Sequence, residues 1–398
     1  MAIVAKSGCD FGVYVHVPFC HVQCPYCTFF TVPRPERAAA FTRFLEAVRR
    51  EWRLRVTPRL QGGDRLRTLY LGGGTPSDVP APLLESFLGD VAVDLTQGLA
   101  SLDEVTVECN PETADVETLE ALHTRGVDRI SLGVQALDAS DLRRLGRAST
   151  LSQVEDALVR VARRFDNWSA DLILGIPDSN RRRLVQALES LHAHGAPHVS
   201  FYCLEMPAER ARALGGVPWS ERRVAAAYEF VSAWLEQKGY EHYEISSAAL
   251  PGRRARHNAA YWERREYVGL GPGAHSQWGG GRRANRPDLE AYLQALESGQ
   301  EPPAWRETLT PDSIRREELM LGLRRREGVE LEDWDLGRAR PLLELLARQG
   351  LGTLVGTRFG LTPKGWMVSD SIVLQLLTEF EPAQTRVDKI RPTPLHSV

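Results

Sequence analysis

The chain is short of lysine, short of cysteine and free of long apolar runs, and each shortage excludes something. Of 49 basic residues only Lys6, Lys238, Lys364 and Lys389 are lysine. The arginines are spread along the chain and nearly balanced by 52 acids, for a formal net charge of −3, so no basic face for nucleic acid is expected. No uncharged apolar stretch reaches the roughly 18 residues a membrane span needs. Met1–Asp10 holds one lysine and no apolar run of signal length, so neither membrane insertion nor a leader is expected. No internal repeat or low-complexity tract occurs. What is present is 398 residues, 43% apolar and 25% charged, enough for a large core in two or more domains and unlike a disordered or fibrous chain. The six cysteines are few, and three crowd between residues 20 and 27, which suits metal binding better than a disulfide framework. A reducing compartment, the cytoplasm, follows as the expected location.

The pattern alternates strands and helices. β-rich runs stand at Gly12–Val17, Thr68–Leu71, Glu104–Glu108, Arg129–Val134, Ala170–Leu174 and His198–Leu204. Between them Glu36–Leu54, Ala81–Leu95, Val116–Thr124, Ser152–Arg164 and Arg182–Ala193 carry Leu, Val and Ala at helical spacing. Strands joined by crossover helices predict parallel βαβ units, hence an α/β fold with a full or partial barrel over residues 1–210. Residues 211–305 read as a mixed α/β extension: a helix over Glu221–Gln237, a β run Tyr240–Ile245, then an Arg- and Gly-rich patch near 252–285. Residues 306–380 read as a small C-terminal helical domain. Its turn at Gly360–Gly365 and helix at Asp370–Leu377 give a winged-helix-like form, with 381–398 as a flexible polar tail.

In parallel α/β folds the functional groups collect after the strands' C-terminal ends. The unusual residues stand there: Pro18-Phe19-Cys20, Gly72-Gly73-Gly74-Thr75-Pro76, Glu108-Cys109-Asn110-Pro111, Gly133-Val134-Gln135 and the run Asp171 to Pro177. Cys20, Cys24 and Cys27 form C-x3-C-x2-C, a spacing that lets three thiolates converge on one inorganic cluster and leaves one iron of a cubane open. A structural zinc completed by His16 or His21 is the alternative on these residues alone. The glycine run either lets backbone approach a bound group or makes a tight turn. Glu108 and Gln135 can hydrogen-bond an amino group or ribose hydroxyls, Arg147 can hold a carboxylate, and Asp171 a cationic or hydroxyl group; singly, each is an ordinary polar residue. Cys9, Cys109 and Cys203 read as bystanders.

The segment Tyr14-Val-His-Val-Pro-Phe-Cys20-His-Val-Gln-Cys24-Pro-Tyr-Cys27-Thr-Phe29 resembles the cluster loop of the radical S-adenosylmethionine (SAM) superfamily. With Glu108-x-Asn110-Pro111, Gly133-Val-Gln135, Leu145-Gly-Arg147 and the run Asp171 to Pro177, the chain to about residue 205 resembles the oxygen-independent coproporphyrinogen III oxidase-like branch. The resemblance implies a partial (β/α)6 radical SAM barrel. It implies a 4Fe-4S cluster on Cys20, Cys24 and Cys27, SAM at the open iron, and an electron donor whose one electron cleaves SAM to a 5′-deoxyadenosyl radical. It further implies that Tyr14, Tyr26, Gly73, Gly74, Thr75 and Glu108 line SAM, and that Gln135, Arg147 and Asp171 stand where the oxidase contacts a second SAM.

The oxidase pattern continues to a fourth cysteine, where this chain has Phe29. Downstream, Tyr243-Glu-Ile-Ser246, Arg256-His257-Asn258-x-x-Tyr261-Trp262 and Tyr267-x-Gly-Leu-Gly-Pro-Gly-Ala-His275-Ser276 resemble the HemW-type heme chaperones. That resemblance implies a heme-binding segment formed by His257, Asn258, Tyr261 and Trp262. His257 can ligate iron through a neutral nitrogen, and Tyr261 and Trp262 offer a flat apolar platform; the same side chains can equally brace a loop and pack an interface. His275 is a second candidate ligand. Arg253, Arg254, Arg256, Arg264 and Arg265 pair with heme propionates or remain solvated loop charge. The expectation is a heme chaperone carrying a 4Fe-4S cluster, SAM and heme, with heme as cargo for acceptor hemoproteins. The rivals are the oxidase and a related radical SAM methyltransferase.

Overall fold

A computed structural model describes residues 8–205 and 216–380; the boundary expected at 210 and the tail expected at 381–398 lie outside the described residues. Residues 1–310 form one compact unit and residues 311–398 a second. The larger unit is built on one twelve-stranded sheet. Its parallel heart comprises β1 (Asp10–Val17), β4 (Arg65–Gly73), β5 (Glu104–Cys109), β6 (Arg129–Gln135), β7 (Trp168–Leu174) and β8 (His198–Cys203), each paired with the next. Two strands of two residues, β2 (Phe19–Cys20) and β3 (Val32–Pro33), pair beside it and close the base of the cysteine loop.

These strands alternate as half-buried strands do, yet both faces are covered. One face is apolar and packs on the crossover helices: Val13 and Val15, Leu69 and Leu71, Val105 and Val107, Ile130 and Leu132, Leu172, Phe201. The other is polar although enclosed: Thr68, Thr106, Ser131, Ser169 and Ser200 are all buried. The sheet curls around that polar face. Beyond the effect of burial, Tyr202 on β8 raises the hydroxyl of Tyr70 on β4 and is itself raised by Glu108 on β5, although the four strand steps from β4 to β8 of a flat sheet span roughly 19 Å. The helices start where side chains cap them, as at Thr150, whose hydroxyl and Gln153 form a reciprocal capping box for Leu151–Arg164.

The extension is no separate body. It prolongs the same sheet at both edges: β10 (Ser247–Ala249) and β9 (Glu241–Glu244) add antiparallel beyond β8, and β11 (Glu266–Leu270) adds parallel to β1. Beyond β11 follow β12 (His275–Trp278), β13 (Gly281–Asn285) and β14 (Ala304–Thr308), all antiparallel. The parallel part therefore has a seventh strand, β11, that the six β-rich runs did not include. It is pinned by Glu51, a fully buried carboxylate on the helix Ala38–Arg55. Glu51 accepts from Arg55 Nη1 and Asn285 Nδ2 at 2.8 Å, from the Tyr292 hydroxyl at 2.8 Å and from the Gly271 amide at 2.9 Å.

The second unit has helices at Pro311–Gly322, Asp333–Arg348, Pro363–Trp366 and Ser369–Phe380. The expected helical domain also holds a three-stranded antiparallel sheet, β15 (Val329–Glu330), β16 (Gly352–Val355) and β17 (Arg358–Leu361), in the order β15-β17-β16. Among the described residues no helix is long and apolar enough to cross a membrane.

Candidate functional site

The cysteine loop hangs from the C-terminal end of β1 and is tied down at both sides. Val32 N donates to Pro18 O and Arg34 N to Cys20 O. His16 holds the far side: its Nε2–H donates to Phe30 O at 2.7 Å, so its Nδ1 must accept from the Tyr14 hydroxyl at 3.0 Å. Burial lowers this imidazole to about 4, so it is neutral, and both nitrogens are occupied; it is a brace, not a zinc ligand. His21 is exposed. All six cysteines are unpaired. Phe29, where a fourth thiol would stand, is 58% exposed.

Each of the three loop sulfurs faces at least one donor, and Cys24 also meets the Tyr26 hydroxyl. Thr75 Oγ1 lies 3.7 Å from Cys20 Sγ, Arg147 Nη1 lies 3.7 Å from Cys24 Sγ, and the Phe29 amide serves Cys27. Burial pushes the Cys20 thiol up to about 11 and raises Cys27 as well, so an incoming metal must displace protons. Three unpaired thiols, each met by a donor suited to a thiolate, fit a cluster. Tyr26 completes the rim beside Cys24 and Arg147, its hydroxyl raised by burial while Arg147 pulls it down.

The glycine strap is packed tightly against the cysteine loop. Gly73, at φ +106°, would drive a Cβ to 2.3 Å from the His16 ring. The Gly73 amide donates to Glu108 Oε2, Gly74 N to Val17 O and Thr75 N to Phe19 O. The strap's amides are thus spent on the protein itself. Its small residues let β4 press against the root of the cysteine loop, and only its carbonyls remain for a ligand.

Glu108 accepts from Gly73 N and from the Tyr70 hydroxyl at 2.7 Å, and burial lifts its carboxyl to about 7. Burial lifts Asp171 to about 6; its Oδ2 accepts from Ser131 at 3.4 Å, and its Oδ1 has no hydrogen-bond partner among the described residues. Gln135 sits at φ +65°, a strained conformation for a residue with a side chain. It lines a shallow, open groove whose wall is apolar at Leu137, Ile173, Ile176 and Trp219 and charged at Asp138, Asp141 and Arg183. Two poised carboxyls, an unpartnered carboxylate oxygen and a partly apolar groove suit an ammonium, a ribose and a base. Asn110, read from the sequence as one of the unusual strand-end residues, was given no role there. Its Nδ2 donates to Thr75 Oγ1 at 2.9 Å and its Oδ1 accepts from Arg147 Nη2 at 2.7 Å.

The segment Arg256–Trp262 is brought to the opposite mouth, at the N-terminal ends of the strands. It is a seven-residue helix whose first two amides, Arg256 N and His257 N, donate to the buried carboxylate of Glu104, the first residue of β5. His257 is 1% exposed. Its Nδ1 bonds Thr68 Oγ1 at 2.8 Å and its Nε2 the Tyr261 hydroxyl at 2.7 Å, and its ring stacks on Tyr70. Burial lowers it to about 3. The expected iron ligand is therefore a brace in this arrangement, with no nitrogen uncommitted. Asn258 and Trp262 are half-buried on the same helix. Arg254 pairs with Glu241 and Arg265 with Glu263, and Arg256 reaches Asp103 O, so the flanking arginines are engaged by the protein. His275, at the start of β12, is exposed, and among the described residues its ring has no hydrogen-bond partner.

Residues 14–191 match the radical SAM superfamily and residues 309–368 the HemN C-terminal domain. The chain is 34% identical to the heme chaperone HemW of Lactococcus lactis over 331 residues, 81% of this chain and 84% of that protein. It is 33% identical to the heme chaperone HemW of Mycobacterium tuberculosis over 383 residues, 94% of this chain and 97% of that one. The solved structure of the coproporphyrinogen III oxidase HemN of Escherichia coli, a radical SAM enzyme, shares the fold, with a TM-score of 0.77 over 94% of this chain and 91% of that chain at 21% identity.

Proposed function

Because the chain belongs to the radical SAM superfamily and, within it, to the family of the HemW heme chaperones, we propose that it binds heme and passes it to acceptor hemoproteins. The observation that carries this is similarity to a HemW chaperone over 94% of this chain and 97% of the relative. The exposed Phe29 in place of a fourth thiol supports it against the oxidase.

In this reading Cys20, Cys24 and Cys27 hold a 4Fe-4S cluster, which with SAM at its open iron supplies one-electron chemistry. Tyr26 and Thr75 line the rim of that site, and the carbonyls of Gly73 and Gly74 its floor. Glu108, poised near neutrality, ionises to receive the ammonium of SAM. Asp171 Oδ1 and Gln135 take ribose hydroxyls, and the groove beside Gln135 takes the base. Arg147 faces the cluster loop, at a position where the oxidase contacts a second SAM. A reducing compartment suits the unpaired thiols, and an electron donor reaches the cluster at its exposed loop.

Heme is assigned to His257, Asn258, Tyr261 and Trp262, with His257 giving up Tyr261 to meet iron. A second reading is favoured by the unpartnered ring of His275, which binds iron without breaking any bond. Titrating cluster-loaded protein anaerobically with hemin tests both. A saturable Soret shift is expected in the native chain. Its loss in His257→Ala assigns the ligand to the helix, and its loss only in His275→Ala assigns it to β12. No Soret shift in the native chain would overturn the function.

A further inference from the structure

We propose that Asn110 is a positioning residue for the cluster, setting its reduction potential by aiming donors at two of the three ligand sulfurs. The inference rests on the cluster reading of Cys20, Cys24 and Cys27 and goes beyond it.

The orientation of the Asn110 amide follows from its neighbours. Arginine donates only, so the group facing Arg147 Nη2 at 2.7 Å must be Oδ1. Nδ2 then faces Thr75 Oγ1 at 2.9 Å, and that hydroxyl accepts from it. The Thr75 proton is thereby turned away from Asn110 and toward Cys20 Sγ at 3.7 Å, while Arg147 is left with Nη1 toward Cys24 Sγ at 3.7 Å. One side chain thus fixes both donors.

The Asn110 backbone is itself fixed. Pro111 confines it to extended conformations. Its carbonyl accepts from Thr113 N and Ala114 N, both at 3.0 Å, and its amide lies 3.3 Å from Thr113 Oγ1. Arg147 is held a second time through Gly133 O at 3.1 Å, and Thr75 is buried. Hydrogen bonds and positive charge beside cysteinyl sulfur favour the more negative, reduced cluster and raise its potential. Such outer partners, once mis-aimed, lose that effect without removing a ligand.

The test is a spectroelectrochemical titration of reconstituted protein, with iron and sulfide per chain measured alongside. Asn110→Ala is expected to lower the reduced-to-oxidised ratio at fixed potential about tenfold, a shift of about −59 mV for one electron, at native cluster content. Thr75→Val should shift it in the same direction by less, and Thr75→Ser, which restores the hydroxyl, should return it to the native value. If Asn110→Ala assembles no cluster, the Thr75 pair decides alone. Native potentials in Thr75→Val and in a cluster-loaded Asn110→Ala would overturn the proposal. A native chain that binds no cluster would instead overturn the reading beneath it.

Discussion

The two mouths of the barrel treat polar groups in opposite ways. At the strands' C-terminal ends, donors and acids are aimed at places that the protein leaves open: Thr75 and Arg147 at unpaired thiols, Asp171 Oδ1 at nothing among the described residues. Around the helix at the N-terminal ends of β4 and β5 the polar groups satisfy one another: Glu104 caps the helix Arg256–Trp262, and His257 is closed between Thr68 and Tyr261. Gly12 on β1 leaves the room that the His257 ring fills, with a Cβ there falling 3.3 Å from the ring. One mouth is built to receive and the other to seal. If heme docks at the sealed mouth, the seal must open, and its hydrogen bonds oppose binding.

The sharpest break of this contrast is at the thiols. Cys24→Ser should abolish the brown cluster absorbance of reconstituted protein while leaving the thermal unfolding of the apo chain nearly unchanged; full cluster content in that variant would refute the three-thiolate site. At the other mouth, Glu104→Ala should cost about 3 kcal/mol in urea unfolding, because it uncaps the helix and leaves the buried Arg129 without its carboxylate. A loss below 1 kcal/mol would show that the seal is loose.

The two ends also answer pH with opposite sign. His257, lowered from 6.5 to about 3, stabilises the fold fully above pH 6.5 and loses that contribution as pH falls toward 3. Glu108, raised from 4.5 to about 7, does the reverse: its contribution is intact below pH 4.5 and is lost as pH rises through 7. Each change is on the order of 3 to 5 kcal/mol. His257→Gln should flatten the acid limb of a Tm-against-pH curve and Glu108→Gln the neutral limb; interchange of these effects would contradict the burial assigned to each.

The smallest effect sharpens the heme reading. Tyr261→Phe strips His257 Nε2 of its partner at a cost of about 1 kcal/mol, and it should tighten hemin binding if His257 is the ligand. Unchanged hemin affinity in that variant would favour His275.

The contrast explains what the sequence disclosed. The strand-end residues were readable because alternation locates the strands and the fold puts their downstream edges together, so Cys20, Glu108 and Gln135 could be grouped from the pattern, while Arg147 joined them only through the family resemblance. The seventh parallel strand was not, because Glu266–Leu270 is short, lies among arginines and glycines, and becomes a strand only by pairing with β1, far away in the chain. Ligand and brace could not be told apart for His257 for the same reason: what buries it is Gly12, Thr68 and Tyr70, none of them near it in sequence. Asn110 stood out only as part of a strand-end motif. Its role lies in two hydrogen bonds to residues 35 and 37 positions away.

The most direct measurement is heme transfer. Cluster-loaded protein carrying heme, mixed anaerobically with an apo-hemoprotein and separated from it, should leave the heme on the acceptor, and the same preparation given reductant, SAM and coproporphyrinogen III should form no protoporphyrinogen. Heme that stays on the donor, together with stoichiometric protoporphyrinogen, would contradict the chaperone account.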